Sequence, residues 1–340
     1  MDNNSNLPLV SIVIPSFNKV DLLLEMVDCI IGQTYKQWEL LIIDDGSTED
    51  NVVKIRALND DRITIIERNR HPKGGQTCRN IGFEKSKGKY IIFFDADDLL
   101  SQDCLKQRVE FMEKNLNLDF SVFPAASFND KNELANVKAT MGLSRPDEDA
   151  LTSLLSGRFQ FAVWTNIYKK ESLVKASICW DENVLVYQDF DFNLSTLLAG
   201  LKYDFDTDAK CDYYYRVFYS SDTVFSKFTP DKLLSTERLV EKTLDRLSNS
   251  VDYNQRKKEF LTFIILHFER LLVLRNSLAI VSLIGVLTHY YSEMSIFKIK
   301  STYYFCKLTG YHKFFIHLAM TVFCGDSRYL TALSKKLIGH

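Results

Sequence analysis

Residues 95–98 read Asp-Ala-Asp-Asp and close a run, 89–95 (KYIIFFD), that is apolar through its middle. Three carboxylates within four residues repel one another unless something positive sits among them. Hard divalent cations take oxygen ligands, and Mg²⁺ typically uses one or two carboxylates together with substrate phosphates. Such a cluster can hold a metal against a diphosphate; it can equally be a solvated turn with helix-capping aspartates. A second acidic pair, Asp44-Asp45, ends the apolar run 38–44 (WELLIID). A carboxylate there can accept a hydrogen bond from a base N–H or a ribose hydroxyl. The cluster Pro15-Ser16-Phe17-Asn18 closes a third apolar run, 9–15 (LVSIVIP), and the Phe17 ring is a flat face on which a base can stack. Taken singly, Phe17 is equally a core residue and Asp45-Gly46 an ordinary turn.

The three clusters act together only if the runs before them are neighbours with one direction. The pattern predicts this. Strands over 9–15, 38–44, 62–67 and 89–95 alternate with helices over 20–32 and 76–87, and a further helix starts near Ser47. Ser47 stands three before Asp50, which resembles a capping box. Helix 103–116 and strand 118–124 follow. Such alternation implies an α/β fold with a mostly parallel sheet covered on both faces, whose ligands bind beyond the carboxyl ends of the strands. Residues 126–157 form a polar stretch, read as a loop and a short helix. Residues 158–217 regain structure as an aromatic strand (FQFAVWTNIY), a helix around 188–199 and a strand ending in YYYR; beyond 230 the chain reads as wholly helical.

Other nucleotide motifs fail. No G-x-G-x-x-G is present, and Gly82 to Lys89 has a spacing and a Tyr90 that a P-loop does not allow. Together, PSFN (15–18), QTYKQWELLIIDDGS (33–47), GGQTCRN (74–80) and GKYIIFFDADD (88–98) resemble the nucleotide-sugar half of glycosyltransferase family 2, of Rossmann-like GT-A fold. The likeness is close over 9–125 and looser to 217. It implies an inverting enzyme with a nucleoside-diphosphate-sugar donor, usually UDP, and a Mg²⁺ or Mn²⁺ cofactor. By motif, Pro15, Phe17 and Asn18 would border the base and Asp45 would hydrogen-bond it. Asp97 would bind the metal, and Asp95 would face the ribose or the ion. Arg79, of the family's Arg-Asn pair, would reach the diphosphate or support the acidic loop, a plain salt bridge being the alternative.

The resemblance also implies that Asp189 is the general base, since the family has Glu-Asp where this chain has Gln188-Asp189. An inverting transfer needs a carboxylate to take the acceptor hydroxyl's proton opposite the leaving group. Asp191 is expected to be a surface acid. Trp164, Asn166 and Tyr168 resemble the family's W-x-K-L-Y strand, with Asn166 in place of Lys, and Trp164 is expected on the acceptor side. Arg216, closing Y-Y-R, is expected there too, either near phosphate or in an ion pair.

Composition narrows the field further. With 340 residues, 46% hydrophobic and 25% charged, the chain is globular, and a net charge of −2 argues against a nucleic-acid binder. Its seven cysteines are scattered with no C-x-x-C, which suits free thiols in a reducing compartment, and the first ten residues carry no secretory signal. Charge is uneven: residues 251–340 carry a net +7 and the first 250 a net −9. The expected organisation is a GT-A catalytic domain over 1–225 (nucleotide-sugar half 9–125, acceptor half 126–225) and a basic helical region over 226–340. In the latter, 260–274, 278–288 and 314–324 are apolar but too short or too interrupted to span a bilayer. Lys298, Lys300, Lys307, Lys313, Lys335 and Lys336 are interleaved with aromatics, which suits peripheral contact at the inner face of the cell membrane through 255–340, or a small helical bundle packing on the catalytic domain or on a second subunit. A glycan or lipid-linked acceptor suits that placement. Two rivals are a non-catalytic sugar-nucleotide-binding scaffold of a polysaccharide assembly complex, and a nucleotidyltransferase, which would want a Gly-rich basic loop after its first strand.

Overall fold

The computed structural model describes residues 7–217, 229–273 and 277–311, together with Ile316 and Met320. The apolar segment 314–324 and Lys313, Lys335 and Lys336 otherwise lie outside the described residues. Two compact units form: Met1–Leu154 with Phe159–Phe228, and Leu155–Arg158 with Thr229–His340.

The first unit opens with strand β1 (Val10–Ser16), helix α1 (Val20–Ile31), β2 (Trp38–Asp44), α2 (Glu49–Arg56), β3 (Ile63–Glu67), α3 (Gly75–Lys85) and β4 (Tyr90–Phe93). It continues through β5 (Leu99–Leu100), α4 (Cys104–Lys114), β6 (Phe120–Val122), β7 (Ala125–Phe128), α5 (Ala150–Leu155), β8 (Asn166–Lys169), α6 (Lys170–Lys175), α7 (Gln188–Leu198), β9 (Tyr203–Phe205) and β10 (Tyr213–Arg216). The main sheet has the order β3-β2-β1-β4-β8-β6-β9. β1 is buried almost throughout, as a central strand must be, and is parallel to both β2 and β4. Pro15 lies past the last rung with β4, Val13↔Phe93, so its missing N–H removes no bond from that pair. With β1, β2 and β4 parallel, the three polar clusters fall on one edge of the sheet.

The sheet is mixed, because β8 runs antiparallel to both β4 and β6. A second sheet, β5-β10-β7, joins residues more than a hundred positions apart. Several local expectations need correction. The aromatic run 159–168 forms a strand only from Asn166; Val163–Thr165 is a 3-10 turn, and Phe161 and Val163 enter the core beneath α7. An apolar run reports burial, and burial does not require a strand. The cap of α2 is Thr48, and Ser47 Oγ instead accepts a hydrogen bond from Asn18 N at 3.0 Å. β7 lies inside the stretch read as a loop, because its partner, β10, is remote in sequence.

Two packing features set the site's frame. α3 lies directly on β1: a Cβ on Gly82 would stand 2.3 Å from Val13 Cγ1. α7 is anchored by Phe192, whose ring stacks on Trp180 at 4.5 Å and meets Phe93 edge-on at 5.7 Å. The second unit holds α8 (Pro230–Ser248), α9 (Tyr253–Val273), α10 (Ser277–Leu287) and α11 (Glu293–Leu308). α8 starts as helices often do, with Thr229 as cap and Pro230 in its first turn.

Beside the main sheet, Arg108 of α4 and Asp212 form a fully buried bidentate pair at 2.7 Å, and Arg108 also donates to the Trp164 and Asn166 carbonyls. Breaking one partner leaves an uncompensated interior charge. Arg108→Met is expected to cost about 3–5 kcal/mol in urea denaturation, and Arg108→Met/Asp212→Leu to recover a large part of that loss; an unchanged midpoint for the single variant refutes this role.

Candidate active site

The edge formed by β1, β2 and β4 gathers the candidate residues in two groups. In the first, Asn18 takes a left-handed conformation (φ 53°), which Asn tolerates better than most residues, and its Oδ1 accepts from Thr48 N at 2.9 Å. This laces the loop after β1 to the loop after β2. Asp44 shapes the turn: its Oδ2 accepts from the Gly46 and Ser47 backbone N–H groups, both at 3.0 Å. Asp44 Oδ1 and the Ser16 hydroxyl oxygen are buried with no hydrogen-bond partner in the protein. Asp45 is buried, and its Oδ1 accepts from Arg68 Nε at 2.5 Å and from Gly74 N at 3.2 Å. Pro15 is half-buried at this edge, whereas Phe17 is 45% exposed with the Lys73 ammonium 3.4 Å from its ring centre. Phe17 is therefore an open platform and no part of the core.

The second group surrounds the acidic loop after β4. Each of its three aspartates has a different partner. Asp95 accepts from Arg79 Nη2 at 2.6 Å. Asp97, its side chain 22% exposed, pairs with the more exposed Lys19 at 2.7 Å. Asp98 is fully buried; the Tyr213 hydroxyl donates to its Oδ2 and Arg216 N donates to its Oδ1 at 2.7 Å. Burial, and then the charges of Asp95 and Asp97, push the Asp98 carboxyl well above the usual carboxylate range. Asp98 thus anchors the loop, while Asp95 and Asp97 remain open to solvent. Sequence reasoning counted Asp98 in the cluster without giving it this part; its position after two acids and its match to a remote Tyr were the available signals.

Arg79 joins this loop to α7. Its Nη1 donates to Gln188 Oε1 at 3.0 Å, and its guanidinium lies 4.6 Å from the Trp180 ring centre. Burial works against the charge of Arg79, yet Asp95 and Asp189 hold its pKa above the ordinary value. Gln188 also donates from Nε2 to Gln76 Oε1 at 2.8 Å and to the Leu185 carbonyl at 3.3 Å. A Glu at 188 could not make these two donations, which gives the amide here a physical reason. Asp189 follows in the first turn of α7, after Tyr187 in a left-handed conformation (φ 59°). Burial lifts its pKa to about 6; Arg79 opposes the rise, Asp95 adds to it, and a hydrogen bond from the Val163 backbone N–H opposes it. Asp191 is buried rather than a surface acid, because α7 packs against the core on more than one side.

The remaining candidates lie on the other flank of the acidic loop. Trp164 stacks on Tyr213 at 4.6 Å and on Tyr215 at 5.7 Å, and is 9% exposed. Arg216 donates from Nε to the Asp97 carbonyl at 2.7 Å and pairs with Glu25, itself bridged to Lys131. Its guanidinium is thus committed to an ion pair and to the acidic loop's backbone. The residues sequence reasoning missed are the basic partners Lys19, Arg68 and Lys73; Lys19 directly follows PSFN and Lys73 directly precedes GGQTCRN, and that adjacency was the available signal.

Among the described residues no group of three metal-ligating side chains forms. The donor chemistry still fits a hard divalent ion that takes only one or two carboxylates beside phosphate and water oxygens. Asp97 and Asp95 are the two carboxylates that would hold it at the solvent-open edge, where Asp97 is paired with Lys19, whose side chain is 54% exposed. The six described cysteines outside this edge or within it are all free thiols.

Comparison with known proteins speaks to the family and the fold. The family model for Glycosyl transferase family 2 matches residues 11–176. UDP-Glc:alpha-D-GlcNAc-diphosphoundecaprenol beta-1,3-glucosyltransferase WfaP of Escherichia coli is 30% identical over 179 residues, covering 48% of this chain and 71% of that protein. The uncharacterized glycosyltransferase EpsJ of Bacillus subtilis is 29% identical over 195 residues, 56% of each chain. Of four relatives matched by sequence, the chain spans only 16–56% of their length. Among solved structures, S. aureus TarS 1-349 in complex with UDP-GlcNAc superimposes with a TM-score of 0.66 at 16% identity, over 93% of this chain and 92% of that one. At that identity the likeness speaks for the fold, which is GT-A with a C-terminal helical extension. With three polar clusters on one sheet edge and these matches, the chain belongs to glycosyl transferase family 2.

Proposed function

We propose that the chain is an inverting glycosyltransferase moving a sugar from a nucleoside-diphosphate donor, UDP foremost, to a hydroxyl of a glycan or lipid-linked acceptor in bacterial surface-polysaccharide synthesis. The observation that carries this reading is the Arg79 bridge, which brings the helix start bearing Asp189 to the acidic loop bearing Asp95 and Asp97. The named donor and acceptor of the Escherichia coli relative support the substrate classes.

In this mechanism the base stacks on Phe17, bordered by Pro15 and Asn18, with Lys73 displaced from the ring, and Asp45 accepts from the nucleoside. Asp97, aided by Asp95, would hold Mg²⁺ or Mn²⁺, which when bound neutralises charge on the departing diphosphate. Arg79 keeps Asp95 oriented, and the Asp98–Tyr213 contact keeps the loop's backbone in place. The Asp189 carboxylate takes the proton of the acceptor hydroxyl. That oxygen bonds to the anomeric carbon as the bond to the diphosphate breaks on the opposite face, and the configuration inverts. Trp164, between its two tyrosines, would line the acceptor side, and Arg216 would act there through the loop backbone. The helical region, residues 255–340, would make peripheral contact with the inner membrane face; none of the described helices is long and apolar enough to cross a bilayer.

Two results test this reading. Asp189→Asn is expected to lower turnover about 100- to 10,000-fold while leaving UDP-sugar affinity nearly unchanged. Because a protonated carboxyl cannot serve as base, wild-type turnover should be low in acid, rise through a pKa of about 6 and level above it; a flat profile from acid to neutral pH counts against Asp189. Asp97→Asn should remove the Mg²⁺- or Mn²⁺-dependent part of UDP binding in titration calorimetry, and a wild-type response to the ion would exclude Asp97 as its ligand.

A further inference from the structure

We propose that the outward face of α11, formed by Phe297, Lys300, Tyr304, Lys307 and Leu308, is a docking surface for an anionic lipid bilayer. This rests on the reading that the helical region meets a membrane, and it names the surface that does so. α11 buries one side in its own unit through Ile296, Ile299, Thr302, Tyr303 and Cys306. Its other side should then be polar, as on an ordinary surface helix. Instead Phe297, Tyr304 and Leu308 are 64%, 59% and 88% exposed. They recur at i, i+7 and i+11, which places them in one stripe about 16 Å long at helical rise. Among the described residues nothing in the folding of the unit calls for this stripe, since the helix already has its buried side.

The charges identify the occupant. Lys300 and Lys307 flank the stripe, Lys298 is also exposed, and the helix carries a single acid, Glu293, in its first turn. Exposed aromatics and a leucine bordered by lysines match the boundary of a bilayer, where rings enter the headgroup layer and lysine stems reach anionic phosphates. A second copy of the chain is a poorer occupant: a two-fold contact through this face would bring two sets of its lysines into one interface with no acid in the stripe to pair them. Nucleic acid would give Leu308 no apolar partner. α11 has 16 residues, and among the described residues no helix can cross a bilayer, so the contact is one of lying on the surface.

The test is flotation of the full chain with phosphatidylcholine vesicles, with and without phosphatidylglycerol, at two salt concentrations. Binding is expected only with the anionic lipid, weaker at higher salt, and reduced more than about tenfold by Phe297→Ser/Tyr304→Ser/Leu308→Ser and by Lys300→Glu/Lys307→Glu. All five side chains are exposed, so the variants should keep the wild-type thermal melt and UDP release with a water-soluble acceptor. Variants that float like wild type overturn the assignment of this face while leaving membrane contact standing. A wild-type chain that ignores all vesicles overturns both, and leaves the transfer reading to stand on the UDP-release assay. A concentration-dependent dimer abolished by the serine variant gives the face to a second copy and overturns the lipid assignment.

Discussion

A single guanidinium ties the acidic loop after β4 to the start of α7. Arg79 projects from α3, bonds Asp95 at the end of β4, bonds Gln188 at the start of α7, and lies over Trp180. It is encircled by groups that come from chain segments about a hundred residues apart. Without its charge, Asp95 would lose the cation it pairs with at 2.6 Å. Burial lifts the Asp189 pKa to about 6, and the Arg79 charge opposes that rise. The Trp180–Phe192 stack and the close approach of α3 to β1 at Gly82 give this charge a rigid frame.

Electrostatics also distinguish the three aspartates after β4. Asp98 is shut away and tied to Tyr213, Asp95 is held by Arg79, and the Asp97 carboxylate pairs with a long exposed lysine. The order runs from anchored to available within four residues. This gradient is what lets a chain segment rich in like charge remain folded and still offer a carboxylate to an incoming ligand.

The donor half was legible because its information is local. Val10–Ser16, Trp38–Asp44 and Tyr90–Phe93 are short apolar runs ending in polar clusters, and parallel pairing alone puts those ends on one edge. The acceptor half was less legible because its structure is non-local. β7 and β10 pair across more than eighty residues, and Val163 and Trp164 are apolar for reasons of burial and stacking rather than strand formation. Asp191 was misjudged by the same limit: a helix surrounded on several sides has no polar face to announce, and its aspartate goes inside with it. Lys19, Arg68 and Lys73 were missed because their meaning lies in what they meet.

Tyr213 touches both halves at once. Its hydroxyl binds Asp98 and its ring lies flat against Trp164. Variation that reshapes the Trp164 flank therefore pulls on the very tyrosine that steadies the acidic loop. Such change is bounded from within: there is room in the side chains around that indole, and little room at position 213 itself.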